Sequence, residues 1–535
     1  MKYKLLGLLL ACGILLGITS CEDGLEVVNP NQPTLEVLTT EDGLLRFAAS
    51  TYLSGFETTF DAGTSNFLWQ VQAIHESMGD VIATPWGNFG YRWANQPTSV
   101  TLDDGTVVPP PQGGPQPQEL TSLNDRSTGD LNIFRYEWTG MYRLNNVQNQ
   151  LLELTEASTV SDGLKSALRG WAYFWKGFAY SRIGSMYSAG VILDMPNEAV
   201  PLTSDVNANF VTNADMVAAA NTNWDLAMAE LNGANEADLA TVIAAVIPDF
   251  FQVNGSPTIA TFSQTINTLR ARTLLANTKV ADMTAGDWAT VQSLAADGLQ
   301  DGTPFLEIRG SAANDPITNG GFYPHGFAPG LWHFVSERLM QDFNDGDQRM
   351  AQGFAPGLDF PNPRGRGIHY GSRWSPVTVS DGGLYFEQAN IGEVPVILFG
   401  SWEENSLMQA EAAIYTGDVE GGLAIIDAVR NAQNAGVAAV AGAGLSMDQA
   451  IDELRKERRT GLFLRGVSFY DARRWGRTDP VSEGGGRSGA WVLDDVGVLN
   501  TNATIDYNYL NYFGVPAQEV DFNPPADGSA DVDPM

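Results

Sequence analysis

The fold is decided by residues 451–477, which read IDELRKERRTGLFLRGVSFYDARRWGR. Just ahead of this stretch, Ser446 and Gln449 stand three residues apart, which is the spacing of a capping box and predicts that a helix begins there. Residues at steps of three and four then predict one face packed on a core: Ile451, Leu454, Arg458 and Leu462. Gly466 is expected to end this helix, and a second helix follows it.

The two helices combine charged groups with aromatic rings. The charged residues include Glu457, Arg465, Asp471, Arg473 and Arg474. Guanidinium groups in such surroundings are held by forked hydrogen bonds to carboxylates or to helix-end carbonyls. We therefore expect a network of ion pairs between the helices.

The run ELRKERRTGLFLRGVSFYDARRWGR resembles the C-terminal signature of the SusD/RagB family, outer-membrane lipoproteins that capture nutrients for a partner TonB-dependent transporter. In that family this element is structural. The resemblance therefore implies a buried packing network for Glu457, Arg458, Arg473 and Arg474, because buried charges persist where they are paired. The pair 460–461, Thr-Gly, departs from the family, which usually has an acid and an apolar residue there. The resemblance extends from about Cys21 to Arg477.

The N-terminus predicts a lipoprotein signal peptide over residues 1–20. Two lysines precede an apolar run, residues 5–18, which has the length of a signal-peptide core and is too short to span a bilayer. The sequence Ile-Thr-Ser-Cys at 18–21 is typical of a lipobox, so Cys21 is the predicted lipidation site. The rival Cys12 would leave apolar residues on the mature surface.

Lipidation at Cys21 has two consequences. The sequence holds 2 Cys, so the signal peptide removes one and the anchor uses the other, which leaves no thiol for a disulfide or a metal. Residues 22–23, Glu-Asp, resemble the acidic tag that sends such lipoproteins to the outside of the outer membrane. We expect a lipidated tether over 21–40 and an outer-membrane, lipid-anchored protein that faces the cell exterior.

Composition narrows the class of the remaining chain. The formal net charge is -33 over 535 residues, which excludes a basic nucleic-acid-binding surface, and 44% hydrophobic residues suffice for a core. We predict a single SusD-like domain over 41–535, with an N-terminal part (41–265), a C-terminal part (266–535) and loop-rich insertions at 56–130 and 301–399. Within the first insertion, the proline-rich residues 96–119 predict an exposed hairpin followed by polyproline.

Helical hairpins are indicated twice. The first has an Ala-rich helix at 271–280, a Gly-Asp turn at 286–287 and a second helix at 288–298. The other has the same order, at 408–415, 417–418 and 422–432. This order resembles tetratricopeptide units, although no strict repeat is present. Residues 164–187 are periodic and aromatic on every face, which predicts a helix buried between others. The predicted fold is mainly α, a tetratricopeptide-like helical hairpin scaffold overlaid by long irregular loops and short β-hairpins, as the family resemblance also implies.

Aromatic residues on Gly-rich loops supply the ligand-site candidates. In the segment WGNFGYRW, residues 86–93, an indole face could stack on a sugar ring while amide and guanidinium groups hydrogen-bond its hydroxyls. The candidates there are Trp86, Asn88, Tyr91, Arg92 and Trp93. Composition alone adds three residues from later loop clusters: Tyr323, Trp332 and Trp374. The alternative is that these rings fill the space between loops and helices.

Metal sites are not predicted. His75, Glu76 and Asp80 have a spacing compatible with a metal cluster, but a lone His is more often structural. Residues 342–347, DFNDGD, lack the acid of an EF-hand at the twelfth position, which is Gly353, so a solvated turn is predicted there. No cofactor is expected.

Three function classes remain open. The leading one is a cell-surface lipoprotein that binds a nutrient, with an oligosaccharide best supported, and delivers it to a SusC-like TonB-dependent transporter barrel without being an enzyme. The second is a glycoside hydrolase, which needs two suitably spaced carboxylates. Candidates without a motif are Glu57, Asp61, Glu76 and Glu337. The third is a helical-repeat adaptor that binds only proteins.

Overall fold

Most of the chain folds into packed helices with a few short strands. In the computed structural model the described residues are 35–51, 67–194, 210–247, 255–303, 307–308, 333–386, 396–397 and 399–533. Among these residues no helix combines the length and the apolar character needed to cross a membrane. The mainly α architecture predicted from the sequence is confirmed.

Nine of the described α-helices come before residue 259. They are α1 (Leu35–Leu38), α2 (Glu41–Ala49), α3 (Phe67–Met78), α4 (Tyr91–Ala94), α5 (Gln116–Leu123), α6 (Phe134–Ala157), α7 (Asp162–Met186), α8 (Asn213–Gly233) and α9 (Glu236–Val246). Helix α7 packs between α6 and α8, and its two tryptophans, Trp171 and Trp175, are fully buried. The buried aromatic helix predicted for residues 164–187 is therefore present.

The other nine described α-helices follow from residue 259 onward. They are α10 (Ile259–Ala276), α11 (Ala285–Ala296), α12 (Glu337–Asp342), α13 (Gln348–Gly353), α14 (Trp402–Tyr415), α15 (Val419–Ala432), α16 (Met447–Gly461), α17 (Ser468–Arg474) and α18 (Ala517–Val520). Helices α10 and α11 form one hairpin, α14 and α15 form another, and α11 packs on α14.

The turn of each hairpin was predicted at a Gly-Asp pair, and this is right only once. Asp418 is the N-cap of α15, so 417–418 is the turn of the second hairpin. In the first hairpin the prediction is wrong, because Gly286 and Asp287 lie inside the first turn of α11. Thr284 caps that helix and Asp287 closes a capping box with it, so the carboxylate stabilises the helix start and the turn falls earlier in the chain.

The strands are short and antiparallel. They are β1 (Ile82–Ala83), β2 (Ser99–Thr101), β3 (Val107–Val108), β4 (Ala189–Gly190), β5 (Val211–Thr212), β6 (Glu307–Ile308), β7 (Phe334–Val335), β8 (Phe354–Phe360), β9 (Ser372–Pro376), β10 (Val396–Ile397), β11 (Arg487–Leu493) and β12 (Leu499–Asp506). One sheet has the order β11-β12-β2-β3, and the other pairs are β1-β7, β4-β5, β6-β10 and β8-β9. The β2-β3 hairpin expected within residues 96–119 is present, and helix α5 begins at Gln116, near the end of the range where polyproline was expected.

The first helix of the signature segment (residues 451–477) begins where it was predicted to begin and ends earlier than predicted. Ser446 and Gln449 form the capping box of α16. The helix stops at Gly461, where the prediction placed its end at Gly466. Gln433 donates from Nε2 to the Gly461 carbonyl at 2.9 Å, which satisfies an acceptor that a longer helix would use internally.

The predicted network of ion pairs is present and buried. Arg474 forms a forked pair with Glu411, with Nη1–Oε1 at 2.6 Å and Nη2–Oε2 at 2.7 Å, and its Nε donates to Asp471 at 2.8 Å. Arg458 donates to the other oxygen of Asp471 at 2.8 Å. Burial opposes ionisation of Asp471, but the two guanidinium groups outweigh it and lower the pKa of this carboxyl.

Helix-end carbonyls and distant carboxylates complete this network. Arg473 donates to the carbonyl of Ala276, the last residue of α10, at 2.6 Å. Glu457 accepts from Arg349 at 2.6 Å and from Arg430 at 2.8 Å. The signature segment therefore ties α16 and α17 to α10, α13, α14 and α15, which is a structural role.

Candidate ligand-binding site

Strand pairing positions the aromatic segment 86–93. Strand β1 pairs with β7, so that Ala83 lies opposite Phe334 and the chain leaves the strand directly into this segment. A 3₁₀ turn, Asn88–Gly90, follows, with Phe89 at φ 57° and Gly90 at φ 72°. A Cβ on Gly90 would lie 2.3 Å from the Leu131 carbonyl oxygen, so glycine is required where this turn meets the neighbouring backbone.

The five candidates of this segment divide by exposure. Asn88 is exposed, and Trp86 and Trp93 are half-buried. Tyr91 is fully buried and Arg92 is 4% exposed. Among these five candidates the accessible side chains are therefore two indoles and one amide, and the Tyr91 and Arg92 side chains are buried. Phe89, in the same segment, is half-buried as well.

Arg364 covers one face of the Trp86 ring. Its guanidinium carbon lies 3.2 Å from the ring centroid, a close cation–π contact. Arg364 is exposed and belongs to the connection between β8 and β9. From the same connection, Arg366 donates from Nη1 to the Pro85 carbonyl at 2.6 Å, which fixes the loop against the aromatic segment. A ligand that stacks on this face of Trp86 must move or share the Arg364 guanidinium.

Arg92 and Trp93 form a second cation–π pair, with 4.0 Å from guanidinium carbon to ring centroid. Amide groups hold the guanidinium: it donates to Gln96 Oε1 and to Gln112 Oε1, both at 3.2 Å. Burial lowers the pKa of Arg92. The Tyr370 hydroxyl donates to the Arg92 carbonyl, so the backbone is fixed as well. Arg92 therefore acts as a rigid support for the Trp93 ring.

Two neutral histidines lie beneath the segment. The His333 and Tyr91 rings meet edge to face, with their centroids 5.9 Å apart, and His333 Nδ1 lies 2.9 Å from Thr84 Oγ1. His369 lies against Tyr370 with ring centroids 3.7 Å apart. Burial lowers the pKa of each imidazole to about 3, so both stay uncharged at neutral pH. These two histidines therefore contribute no charge to a ligand, and the buried cation of the site is Arg92.

The other candidates are dispersed or lie elsewhere. Trp374 is on β9, half-buried against the main core. Tyr323 and Trp332 lie outside the described residues, as does the lipidation candidate Cys21. The ligand-binding roles predicted for Tyr323 and Trp332 therefore stay predictions.

Arg364 and Arg366 are the residues that the sequence analysis missed. The signal was available in the segment Pro-Arg-Gly-Arg, residues 363–366, which places two cations on a Gly-containing loop. Periodicity could not assign them, because only the β8-β9 connection brings them to Trp86.

The three candidate metal ligands near this segment are engaged with protein groups. His75 Nε2 lies 3.0 Å from Glu137 Oε2, and Asp80 receives a forked pair from Arg338 at 2.7 and 2.9 Å. Glu76 accepts from the Gly466 amide and from Ser468 Oγ. Across the described residues no group of three or more His, Cys, Asp and Glu is arranged to hold a metal ion.

The turn at residues 342–347 differs from the solvated turn that was predicted. Asp342 is buried between Arg459 and Arg487, and Asp347 is buried as the N-cap of α13, where it pairs with Arg349 at 2.7 Å. Arg459 and Arg487, which are distant in the chain, take the Asp342 carboxylate out of solvent, and local spacing does not reveal them. Asp345, within the same turn, is exposed as predicted.

Comparison with known proteins supports the interpretation of the signature. The SusD family model matches residues 404–529, a segment that contains residues 451–477. The predicted resemblance to the SusD/RagB family is thus confirmed. No curated protein sequence matches this chain.

Solved structures share the fold along nearly the whole chain. A SusD-like carbohydrate-binding protein from Bacteroides fragilis NCTC 9343 is similar with TM-score 0.56 and 13% identity, over 91% of this chain and 99% of that one. Another SusD-like carbohydrate-binding protein, from Bacteroides vulgatus ATCC 8482, has TM-score 0.53 and 13% identity, and the match covers 91% of this chain and 96% of that one. A structure solved with xylogluco-oligosaccharide has TM-score 0.53 and 14% identity, and the match covers 90% of this chain and 97% of that one. At these identities the likeness establishes the fold.

Proposed function

We propose that this protein is a cell-surface lipoprotein that binds an oligosaccharide and delivers it to a partner TonB-dependent outer-membrane transporter. The observation that carries the binding step is the half-buried Trp86 ring, which faces an exposed guanidinium from Arg364 and adjoins the exposed amide of Asn88. A sugar ring has an apolar face and a hydroxyl-bearing edge. The indole can stack on the apolar face, and the neighbouring amide and guanidinium groups can hydrogen-bond the hydroxyls at the edge.

The assignment of a carbohydrate ligand has a second support. One structure with this fold was solved with xylogluco-oligosaccharide, and two others are described as carbohydrate-binding proteins. The match of the family model to residues 404–529 supports the same class. Delivery to a transporter and anchoring through Cys21 rest on the family resemblance and on the lipobox.

Binding without chemistry is part of the proposal. Two carboxylates considered for glycoside hydrolysis, Glu76 and Glu337, are fully buried, and Glu337 is paired with Arg373 at 2.7 Å. A hydrolytic pair must flank a bound sugar in an open cleft. The other two, Glu57 and Asp61, lie outside the described residues.

Calorimetric titration tests the binding step. The purified protein is titrated with xylogluco-oligosaccharide and with a panel of other neutral oligosaccharides, and Trp86→Ala is compared with wild type. We expect the affinity for the recognised sugar to fall by about tenfold or more, since loss of the ring on which the sugar stacks costs on the order of 1–2 kcal/mol.

Phe522→Ala is the matched control. Phe522 is 63% exposed and also lies under a guanidinium, that of Arg126, at 4.4 Å. This variant removes an exposed aromatic–arginine pair outside the candidate site, so its affinity should equal that of wild type. Equal affinities for wild type and Trp86→Ala would reject the site, and release of reducing sugar by the wild type would reject the non-enzymatic assignment.

Co-purification tests delivery. The chain is expressed with its own signal, membranes are extracted in mild detergent, and a C-terminal tag is used to isolate partners for mass spectrometry. A stoichiometric β-barrel protein is expected. Recovery of the lipidated protein alone would contradict the transporter partnership while leaving the sugar-binding assay unaffected.

A further inference from the structure

A cavity of about 220 Å³ lies beside the signature segment. It is bounded by α16, by the end of α17 and the residues after it, and by the start of β11. Met78, Ala472 and Trp475 give it an apolar wall. It shares no lining residue with the segment 86–93, so the cavity is separate from the proposed sugar site.

Cations dominate the remaining walls. The lining includes five of them: Arg455, Lys456, Arg459, Arg477 and Arg487. Three carboxylates, of Asp80, Asp342 and Asp452, oppose them. An excess of positive charge in a cavity is unusual for a chain of net charge -33, and it predicts a positive local potential.

Two of the three carboxylates are already committed to cations. Asp80 receives its forked pair from Arg338, which is outside the lining, at 2.7 and 2.9 Å. Asp342 is shared between Arg459 at 2.5 Å and Arg487 at 2.6 Å. One carboxylate therefore balances two guanidinium groups. The positive charge that is left over is one charge shared between Arg459 and Arg487, together with those of Arg455 and Arg477. Lys456 adds none, because it pairs with Glu453, outside the lining, at 2.9 Å, and the remaining carboxylate, that of Asp452, is exposed.

Arg455, Arg477 and Trp475 retain unused donors. Arg455 Nε and Trp475 Nε1 are both buried, and neither has a hydrogen-bond partner within the described part of the chain. The Arg455 guanidinium lies 5.4 Å from the Trp475 ring centroid, so the two donors are neighbours. Arg477 donates from Nη1 to the Gly486 carbonyl at a long 3.2 Å. The donors of Arg455 and Trp475 are costly to bury without acceptors, and an acceptor in the cavity would satisfy them. Arg477 is exposed, so its remaining donors are accessible to a ligand from solvent.

The charges around Arg477 also favour an anion in the cavity. Desolvation by the cavity walls, followed by repulsion from Arg487, Arg455 and Arg459, lowers the pKa of Arg477. Cations that repel one another at close range are stabilised by an anion placed between them.

We propose that this cavity binds a small oxyanion, a carboxylate, sulfate or phosphate group, through Arg455, Arg477 and the indole N–H of Trp475. A planar guanidinium donates two parallel hydrogen bonds to such a group. The volume accommodates the anionic group with a short organic body, which would lie on the Met78 and Ala472 wall.

Binding is measured with simple probes. The full-length mature protein is titrated calorimetrically with sodium sulfate, sodium phosphate and sodium acetate, with sodium chloride at matched ionic strength as the blank, since unspecific screening affects all salts alike. We expect saturable heat for at least one oxyanion, and the probe that binds most tightly identifies the anionic group. No saturable binding of any of the three would overturn the proposal.

Variants locate the site. Arg455→Gln and Arg477→Gln should each weaken binding about tenfold to a hundredfold, which is the usual loss for one charge-assisted hydrogen bond. Arg46→Gln removes a cation that is 79% exposed and paired only with Asp42 among the described residues, and should bind as wild type does. Unchanged affinity in both cavity variants would overturn the proposal.

A crystallographic measurement on the wild type covers the case in which a variant does not fold. Crystals soaked in sodium selenate should show an anomalous peak within hydrogen-bond distance of Arg455 and Arg477. Peaks only at other positions would overturn the assignment.

Discussion

The buried pair between Arg474 and Glu411 gives the sharpest test of the structural role assigned to the signature segment. Both side chains are 1% exposed, and the guanidinium donates three hydrogen bonds, two to Glu411 and one to Asp471. Arg474→Met keeps much of the side-chain volume and removes the charge. Asp471 still has Arg458 as a partner, so the carboxylate left without its cation is that of Glu411.

The expected cost of Arg474→Met is about 3–5 kcal/mol in the free energy of unfolding, which is typical when one partner of a buried ion pair is removed. Most of this cost comes from stranding the Glu411 charge. The double variant Arg474→Met with Glu411→Gln removes that charge, and we expect it to recover roughly half of the lost stability. The deficit of the single variant should also shrink on acidification, because a stranded carboxylate can then take up a proton.

Urea unfolding followed by circular dichroism and by tryptophan fluorescence measures the effect, and the two transitions must coincide for a free energy to be derived. Arg46→Met is the matched control. Its pair with Asp42 is 79% and 76% exposed, so a change below about 0.5 kcal/mol is expected. A loss below about 1 kcal/mol for Arg474→Met, or a double variant as unstable as the sum of the two single variants, would refute the reasoning.

Three further predictions concern other features of the fold. Burial raises the pKa of Glu76 to about 7 from 4.5, so the native state binds a proton that the unfolded state has released. The contribution of this group to stability is therefore fully present below pH 4.5 and falls by on the order of 3 kcal/mol as the pH rises to about 7. Wild type minus Glu76→Gln in urea titrations between pH 4 and 8 should show this slope, and a pH-independent difference would contradict it. Gly422→Ala should lower the melting temperature, because the new Cβ would lie 2.5 Å from Ile414 Cγ1 in the second hairpin. Gly286→Ala, within α11, should stabilise by about 0.5–1 kcal/mol, because its new Cβ would meet only Thr284 Oγ1, at an ordinary contact distance of 3.6 Å; a loss of stability in this second variant would contradict the reasoning. Asn434 is exposed at φ 56°, so Asn434→Ala should cost about 1 kcal/mol and Asn434→Gly should cost nothing, with equal melting temperatures for the two variants counting against the argument.

Much of the scaffold could be predicted because its signals are local. The capping box of Ser446 and Gln449 and the aromatic periodicity of residues 164–187 depend on neighbours three or four positions apart, which a helix brings together by itself. Errors occurred where one residue type serves two roles. Asp287 stands beside a glycine as in a turn, yet it is the third residue of a helix that Thr284 caps.

The candidate site was predicted less completely. Trp86, Asn88 and Trp93 are accessible, and Tyr91 and Arg92 are buried, a division that loop composition could not make. The stacking partner Arg364 was not considered, because it reaches Trp86 only through the pairing of β1 with β7 and the path of the β8-β9 connection.

The sequence by itself determined the helical class of this protein, its acidic surface charge, the identity of the signature segment and the need of its arginines for partners. Only the tertiary structure decided which partners they have: Glu411 lies 63 residues from Arg474, and Arg349 lies 108 residues from Glu457. The physical reason is that these interactions act over different separations along the chain. Helix periodicity and capping act within one or two turns of chain, whereas a buried charge is stabilised by whichever opposite charge the packed helices bring within about 3 Å.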